Sequence, residues 1–218
     1  MSIQIFNSLA LIFAGLFPIV NPPGTALIFY SMTRRATHAE RSDLARRIAL
    51  YSFLIINASL YFGGYVLQIF GISVPILRVA GGIVVTLTGW KLLNAADTGQ
   101  EDLQKANKGQ HLVKAAFYPL TMPLTTGPGT IASTIALGAG RGDTGAELPP
   151  FLIGAGLAAV LMSGLIYVCY CYADWIEGAI GETASDAIAR LFAFILMCIG
   201  IAIFWAGFSE LVRGLQLH

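Results

Sequence analysis

Six long apolar segments, separated by shorter polar stretches, make up most of the chain. They predict membrane-spanning helices, because a helix that crosses the hydrocarbon core needs about 20 apolar residues. The first and fourth segments are longer than one crossing requires and are interrupted by proline and glycine, whereas the other four are continuous. The six segments are residues 3–32, 48–70, 72–93, 112–138, 149–172 and 187–212.

The composition agrees with a lipid environment. Charged residues make up 11% of the 218 positions and apolar residues 56%, whereas a soluble domain is about 25% charged. This balance excludes an ordinary globular enzyme and a disordered chain, and the net charge of +1 provides no basic surface for nucleic acid. We expect one integral membrane domain over residues 1–218, without enzymatic activity. No G-x-x-x-x-G-K-[ST] motif occurs, so uphill movement of a solute would need a gradient or a partner.

Positive charge is concentrated in the odd-numbered loops between the segments. Five arginines lie in the first loop, three lysines lie in the third, and Lys91 precedes the third, against two basic residues on the other side, Arg141 and Arg213. The positive-inside rule therefore places the odd loops in the cytoplasm and both termini on the periplasmic side. The fifth loop is acidic, but acidic residues contribute little to orientation.

The two interrupted segments share a motif. Residues 17–25 read F-P-I-V-N-P-P-G-T, and residues 118–130 read Y-P-L-T-M-P-L-T-T-G-P-G-T. Each half of the chain has one interrupted segment followed by two continuous ones, so the second half must enter the membrane from the opposite side. The predicted fold is an all-α membrane protein of six transmembrane helices, built as two inverted-topology three-helix repeats with helices 1 and 4 broken. Repeat A covers about 1–95, a cytoplasmic linker about 96–111, and repeat B about 112–218.

The prolines predict a binding site where the two broken helices meet. Proline lacks an N–H and clashes with a preceding carbonyl, and lipid cannot satisfy the polar groups that are freed. A restarted helix would direct N–H groups toward a carboxylate, and the preceding half would direct carbonyls toward an ammonium group. A proline-kinked helix satisfied by its neighbours is the alternative. The candidate substrate-binding residues are Asn21, Pro22, Pro23, Gly24, Thr25, Thr121, Pro123, Thr125, Thr126, Gly127, Pro128, Gly129 and Thr130.

The other polar residues narrow the expected ligand. No Asp or Glu lies in the middle of a predicted span, which disfavours a cationic drug and a carboxylate proton relay. Arg78 and Arg190 each stand a few residues inside a predicted helix start, where they could anchor the helix at the interface, gate the site or bind a carboxylate. The histidines and cysteines show no metal-ligand spacing. We expect no metal and no cofactor, with H⁺ or Na⁺ as a candidate coupling ion.

The two motifs resemble those of the MarC family of bacterial inner-membrane proteins. The resemblance lies in Asn21-Pro22-Pro23-Gly24 and in Pro119-x-x-x-Pro123-x-x-x-Gly127-Pro128-Gly129-Thr130, and it extends over essentially the whole chain. It implies a six-span inner-membrane protein related to transporters of small neutral amino acids.

Together these features predict a secondary transporter that moves a small neutral solute, such as alanine, glycine or serine, by alternating access. The expected partners are a small neutral or zwitterionic substrate and the lipid bilayer, with no nucleic acid and with an oligomer left open. One alternative is efflux of drugs or other metabolites, and another is a non-transport assembly or regulatory subunit. Redox chemistry through paired cysteines is disfavoured, because all three cysteines lie in the fifth and sixth segments, away from the breaks.

Overall fold

The computed structural model describes residues 1–34, 36–94, 115–139 and 148–216, and every regular element in these ranges is helical. The predicted linker, residues 96–111, lies outside the described residues. A ten-residue π-helical segment, Ala116–Thr125, is referred to below as the π segment. The α-helices are α1 (Ser2–Val20), α2 (Pro22–Met32), α3 (His38–Ile69), α4 (Val74–Leu93), α5 (Pro128–Ala139), α6 (Leu148–Cys171), α7 (Ala173–Ile180) and α8 (Glu182–Gln216).

Five helical stretches are long and apolar enough to cross a membrane. The chain therefore has the all-helical membrane architecture that the apolar segments predict. The predicted fourth span is not among the five, because its residues are divided between the π segment and α5, and each part is shorter than one crossing requires. The five stretches are Ser2–Met32, His38–Ile69, Val74–Leu93, Leu148–Cys171 and Ala184–Gly214.

Helix α3 begins ten residues before the apolar segment that predicts it. Its first turn is stabilised by a capping box, in which Thr37 Oγ1 accepts a hydrogen bond from the Glu40 N–H, and Glu40 Oε2 accepts one from the Thr37 N–H at 2.8 Å. Such reciprocal bonds satisfy N–H groups that a helix start leaves free. The helix therefore extends through charged residues beyond the lipid-compatible stretch.

The interior is built around the antiparallel pair α3 and α6. At one end of the pair the Tyr61 hydroxyl donates to the Leu152 carbonyl at 3.0 Å, and at the other Cys171 Sγ lies 3.6 Å from Ser42 Oγ. Helices α1 and α2 pack on α6, while the π segment and α5 pack on α3. The buried cluster contains mainly aliphatic side chains from these elements, and many large apolar side chains point outward, as a surface in contact with lipid requires.

Helices α4 and α8 form a second antiparallel pair whose backbones touch. Gly82 lies against the backbone of Gly200 and Phe204, and Gly89 lies against Ala193 and Met197. Small residues allow this close approach, which favours van der Waals packing between membrane helices.

The first and fifth loops meet on one side of the molecule. The Arg41 side chain, only 5% exposed, donates through Nη2 to the carbonyls of Thr33 and Ala36, at 3.2 and 3.1 Å. Its Nη1 lies 3.3 Å from Asp174 Oδ2, and His38 Nδ1 lies 2.9 Å from the same oxygen. The acidic fifth loop therefore neutralises part of the basic first loop.

We expect this ion cluster to make stability depend on acid pH. Burial opposes ionisation of Asp174, but hydrogen bonds from His38 and the Trp175 N–H, together with the charge of Arg41, outweigh it and lower the pKa of Asp174. A lowered folded-state pKa stabilises the protein above the unfolded-state pKa of about 3.9, and this contribution is lost as the pH falls through the folded-state value. Thermal unfolding of the purified protein between pH 7 and pH 3 should therefore show an acid decline that Asp174→Asn reduces.

Asp43→Asn is the matched control. Asp43 pairs with Arg47 one turn away on the exposed surface of α3, where such pairs contribute little. An acid decline that is the same in Asp174→Asn as in the unchanged protein would contradict the prediction.

Candidate functional site

The first break lies at Asn21, between α1 and α2. Its backbone is left-handed, with φ 46° and ψ 59°, a conformation that asparagine adopts more readily than most residues. Its side-chain Oδ1 accepts a hydrogen bond from the Gly24 N–H at 3.3 Å, and its carbonyl accepts one from the Thr25 N–H at 2.9 Å. Asn21 thus caps α2, and Pro22 and Pro23 occupy the first helical positions.

This geometry differs from the free N–H groups that the sequence suggests for the first break. Pro22 and Pro23 have no N–H, and those of Gly24 and Thr25 are already bonded to Asn21. The start of α2 therefore presents no free backbone donor to a ligand, since the residues that restart the helix also satisfy it.

At the second break, threonine side chains satisfy carbonyls of the π segment. Thr121 Oγ1 donates to the Ala116 carbonyl at 2.6 Å, and Thr125 Oγ1 donates to the Leu120 carbonyl at 2.7 Å. Tyr118 and Met122 have extended backbone, and each precedes a proline through a cis bond. The repeated Pro-Leu-Thr sequence thus forms two similar turns, and each turn ends with a threonine hydroxyl that donates to the carbonyl five residues before it.

Helix α5 starts differently from α2. Pro128 takes its first position, and the Ile131 N–H donates to the Gly127 carbonyl at 3.1 Å. Among the described residues, no hydrogen bond is formed by the N–H groups of Gly129 and Thr130. Free backbone donors of the predicted kind therefore occur at the second break and not at the first.

A buried tyrosine joins the two breaks. The Tyr170 hydroxyl, on α6, lies 2.7 Å from Thr125 Oγ1, and the Thr25 side chain, which donates to the Asn21 carbonyl at 2.9 Å, lies near that hydroxyl. The Tyr170 side chain is fully buried, and its ring stacks on Phe29 of α2 with the centroids 4.6 Å apart. Both predicted threonines thus converge on a residue that the sequence does not single out, because it is one of eight tyrosines in the chain.

A second link joins the π segment to α3. Thr126 Oγ1 donates to Ser52 Oγ at 2.7 Å, and both side chains are fully buried. Thr121 and Thr130 are buried as well, with 0% and 3% exposed. The predicted threonines therefore form part of a packed polar interior in which most of their hydroxyl protons are used.

The two motif glycines are packing contacts. A Cβ on Gly24 would lie 2.8 Å from the Phe192 side chain of α8, and a Cβ on Gly129 would overlap Val85 of α4. The sequence suggests that Gly24 allows the backbone to approach a ligand closely. In the structure, Gly24 allows the backbone to approach a neighbouring helix instead.

A cavity of about 850 Å³ reaches the second break. Arg34 and Glu177, beside the first and fifth loops, line it, as do Leu27, Leu124 and the prolines of the second break. Of the predicted binding residues, only Pro123 and Pro128 line this cavity. The others lie outside its lining: Asn21, Pro22, Pro23, Gly24, Thr25, Thr121, Thr125, Thr126, Gly127, Gly129 and Thr130.

The two predicted arginines have different environments. Arg78 Nη1 lies 2.6 Å from Glu210 Oε2, near the start of α4, and a protein carboxylate thus neutralises it. Arg190 lines the cavity together with Lys91, Asp186 and Thr88. Of the two arginines that the sequence singles out inside a helix start, Arg190 is the one that lines the cavity.

Comparison with known proteins agrees with this helical architecture. The family model described as "MarC family integral membrane protein" matches residues 6–212. The chain is 34% identical over 206 residues to the UPF0056 membrane protein YvbG of Bacillus subtilis (strain 168), which covers 94% of this chain and 95% of the relative. It is 30% identical over 217 residues to the UPF0056 inner membrane protein MarC of Salmonella paratyphi A and to that of Citrobacter koseri. Each of these alignments covers 96% of this chain and 98% of the relative. No solved structure matches significantly. The chain belongs to the MarC family of integral membrane proteins.

Proposed function

We propose that the chain is a secondary transporter of the bacterial inner membrane that moves a small neutral solute by alternating access. A neutral amino acid of the alanine, glycine or serine type is the proposed substrate. The cavity carries the proposal, because it extends from the charged residues Arg34 and Glu177 to the second break at Pro123 and Pro128. Its volume falls in the range of ligand pockets, and similarity to inner membrane proteins supports the location.

We also propose that residues 116–139 form a sixth crossing. Phe117 of the π segment packs edge-on against Tyr51 of α3, with the ring centroids 5.6 Å apart, and Ile135 of α5 lies against Gly63 further along α3. The chain thus advances along α3 from residue 117 to residue 135, in the same direction as α3. Irregular backbone in this crossing would be tolerated where it lines a cavity, as it does at Pro119, Pro123 and Leu124.

An exchange of packing partners supports the two inverted repeats. Helix α1 packs on α6, and α5 packs on α3, so each interrupted segment contacts the second span of the other half. Gly24 and Gly129 show the same exchange between the halves of the chain. Gly24 of the first half contacts α8 of the second, and Gly129 of the second half contacts α4 of the first. A pseudo-two-fold axis in the membrane plane would produce this exchange.

The same geometry suggests which state of the cycle is present. We place the opening of the cavity beside the first and fifth loops, because exposed charged residues line it there, and the charge distribution assigns these loops to the cytoplasm. At the opposite end, α4 and α8 are packed glycine to backbone and joined by the Arg78–Glu210 ion pair. Alternating access would require this end to open as the loop-side mouth closes. Periplasmic termini follow from the same assignment.

Flux through reconstituted proteoliposomes tests the function. We expect saturable uptake of radiolabelled alanine, glycine or serine above protein-free liposomes, under a proton gradient, a sodium gradient or counterflow exchange. The absence of uptake for all three amino acids under all three conditions would refute the substrate assignment. Flux of larger metabolites or drugs would instead support efflux, and a stable partner complex without any flux would support an assembly or regulatory role.

A further inference from the structure

Two cationic side chains in the cavity have no protein counterion in the described parts of the chain. Lys91 stands in the last turn of α4, and Arg190 stands in the third turn of α8. Within residues 1–34, 36–94, 115–139 and 148–216, no ion pair involves either one. Arg34, the other cation lining the cavity, lies 4.0 Å from Glu177.

The remaining charges of the cavity favour an anionic group. After the Arg34–Glu177 pair is set aside, Lys91, Arg190 and Asp186 leave one net positive charge among the described residues of the lining. Asp186 is one helical turn before Arg190, a spacing that allows an ion pair, yet no such pair is formed. Lys91 and Arg190 are both exposed, and a carboxylate that binds between them would form charge-assisted hydrogen bonds with each.

The rest of the lining suits a small molecule with a charged head. Beyond the charged groups, the cavity is bounded by Leu27, Pro123, Leu124 and Pro128. The start of α2, in contrast, has no free N–H to receive a carboxylate. The N–H groups of Gly129 and Thr130 are free, but neither residue lines the cavity. The side chains of Lys91 and Arg190 are therefore the groups that can bind the charged end of a substrate there.

We propose that Lys91 and Arg190 together form the subsite for the carboxylate of an α-amino acid. The Asp186 carboxylate lies near the ammonium group of the bound amino acid. The side chain of that amino acid points toward the apolar wall at Pro123 and Leu124. This inference rests on the proposed transport of amino acids and adds the residues that recognise the charged head. Lys91 belongs to the first half of the chain and Arg190 to the second, so movement of the halves against each other would assemble and separate the subsite.

Isothermal titration of the purified full chain in detergent, with three related probes, tests the subsite. L-Alanine carries both charged groups, propionate lacks the ammonium, and L-alaninamide lacks the carboxylate. We expect L-alanine to bind, propionate to bind more weakly, and L-alaninamide to bind at least about tenfold more weakly than L-alanine, because charge-assisted bonds to the carboxylate are lost.

Substitutions assign the effect to the two cations. Lys91→Gln and Arg190→Gln should each weaken L-alanine binding about tenfold, whereas Lys91→Arg should restore most of the affinity. Arg47→Gln is the matched control and should bind as the unchanged protein does, because Arg47 pairs with Asp43 on α3 outside the cavity. Thermal unfolding of each variant verifies that it is folded.

Each outcome decides one claim. Equal binding of L-alanine and L-alaninamide, unchanged affinity in folded Lys91→Gln and Arg190→Gln, or no binding of any probe would overturn the subsite. Binding with the expected charge dependence but no flux in proteoliposomes would refute transport and leave the subsite standing. Flux that persists with unchanged affinity in both variants would refute the subsite alone.

Discussion

Replacement of Gly82 by alanine is expected to destabilise the protein severely. The new Cβ would lie 2.7 Å from the Gly200 carbonyl oxygen and would overlap the Phe204 backbone. Neither neighbour is a side chain that can turn away, so α4 and α8 would have to separate. Overpacking typically costs about 1–3 kcal/mol and more where the backbone must move.

Thermal unfolding and size-exclusion behaviour of the purified protein measure this effect. Gly64→Ala is the matched control, because a Cβ at this position of α3 meets no atom within 4 Å. That variant should be neutral or slightly stabilised, since alanine favours a helix over glycine by about 1 kcal/mol. Gly200→Ala should behave as Gly82→Ala does, because its Cβ would lie 2.9 Å from the Gly82 carbonyl. Equal unfolding temperatures for Gly82→Ala and Gly64→Ala would contradict the close packing.

Removal of the Tyr170 hydroxyl is expected to reduce transport strongly while the fold is kept. Phenylalanine preserves the stack on Phe29 but removes the hydroxyl that lies 2.7 Å from Thr125 Oγ1 and near the Thr25 side chain. Loss of one partner of a buried hydrogen bond destabilises a protein by about 1–3 kcal/mol. Here the lost hydrogen bond belongs to the contact that joins the two breaks. We expect an initial flux of alanine at least about tenfold lower than that of the unchanged protein, which corresponds to about 1.4 kcal/mol.

Tyr167→Phe serves as the control for Tyr170→Phe. Tyr167 lies on the same helix, but its side chain is 38% exposed, and its hydroxyl makes no bond to either break. Both variants should be reconstituted at matched protein content, and their unfolding temperatures should be compared with that of the unchanged protein. Equal flux in the two variants would show that the Tyr170 hydroxyl plays no part in coupling the breaks.

Local sequence rules account for the helices and for the junction at Asn21. A run of apolar residues long enough for one crossing is visible without any neighbour, and so the helical membrane class was predicted and confirmed. Asn21 followed by Pro22 is a local helix-start signal, and α2 begins at Pro22. The start of α3 was placed too late, because the apolar pattern takes no account of the Thr37–Glu40 capping box in a charged stretch.

The composition of the candidate site depends on contacts between distant residues. The Pro-Gly-Thr motifs indicated which segments are irregular, but the contacts of Thr25 and Thr125 with Tyr170 join residues that are far apart in the chain. The prolines predicted free donors at both breaks, whereas only Gly129 and Thr130 retain them in the described residues. The difference arises because the Asn21 side chain accepts the hydrogen bond of the Gly24 N–H, which would otherwise be free at the first break.

The sequence by itself determined the lipid environment and the helical class. These properties follow from hydrophobicity and backbone chemistry, which act over a few neighbouring residues. Only the tertiary structure decided that Arg78 is neutralised by Glu210 while Arg190 and Lys91 face one cavity. A charge in the sequence has no partner until the helices pack, and packing brings together residues from both halves of the chain.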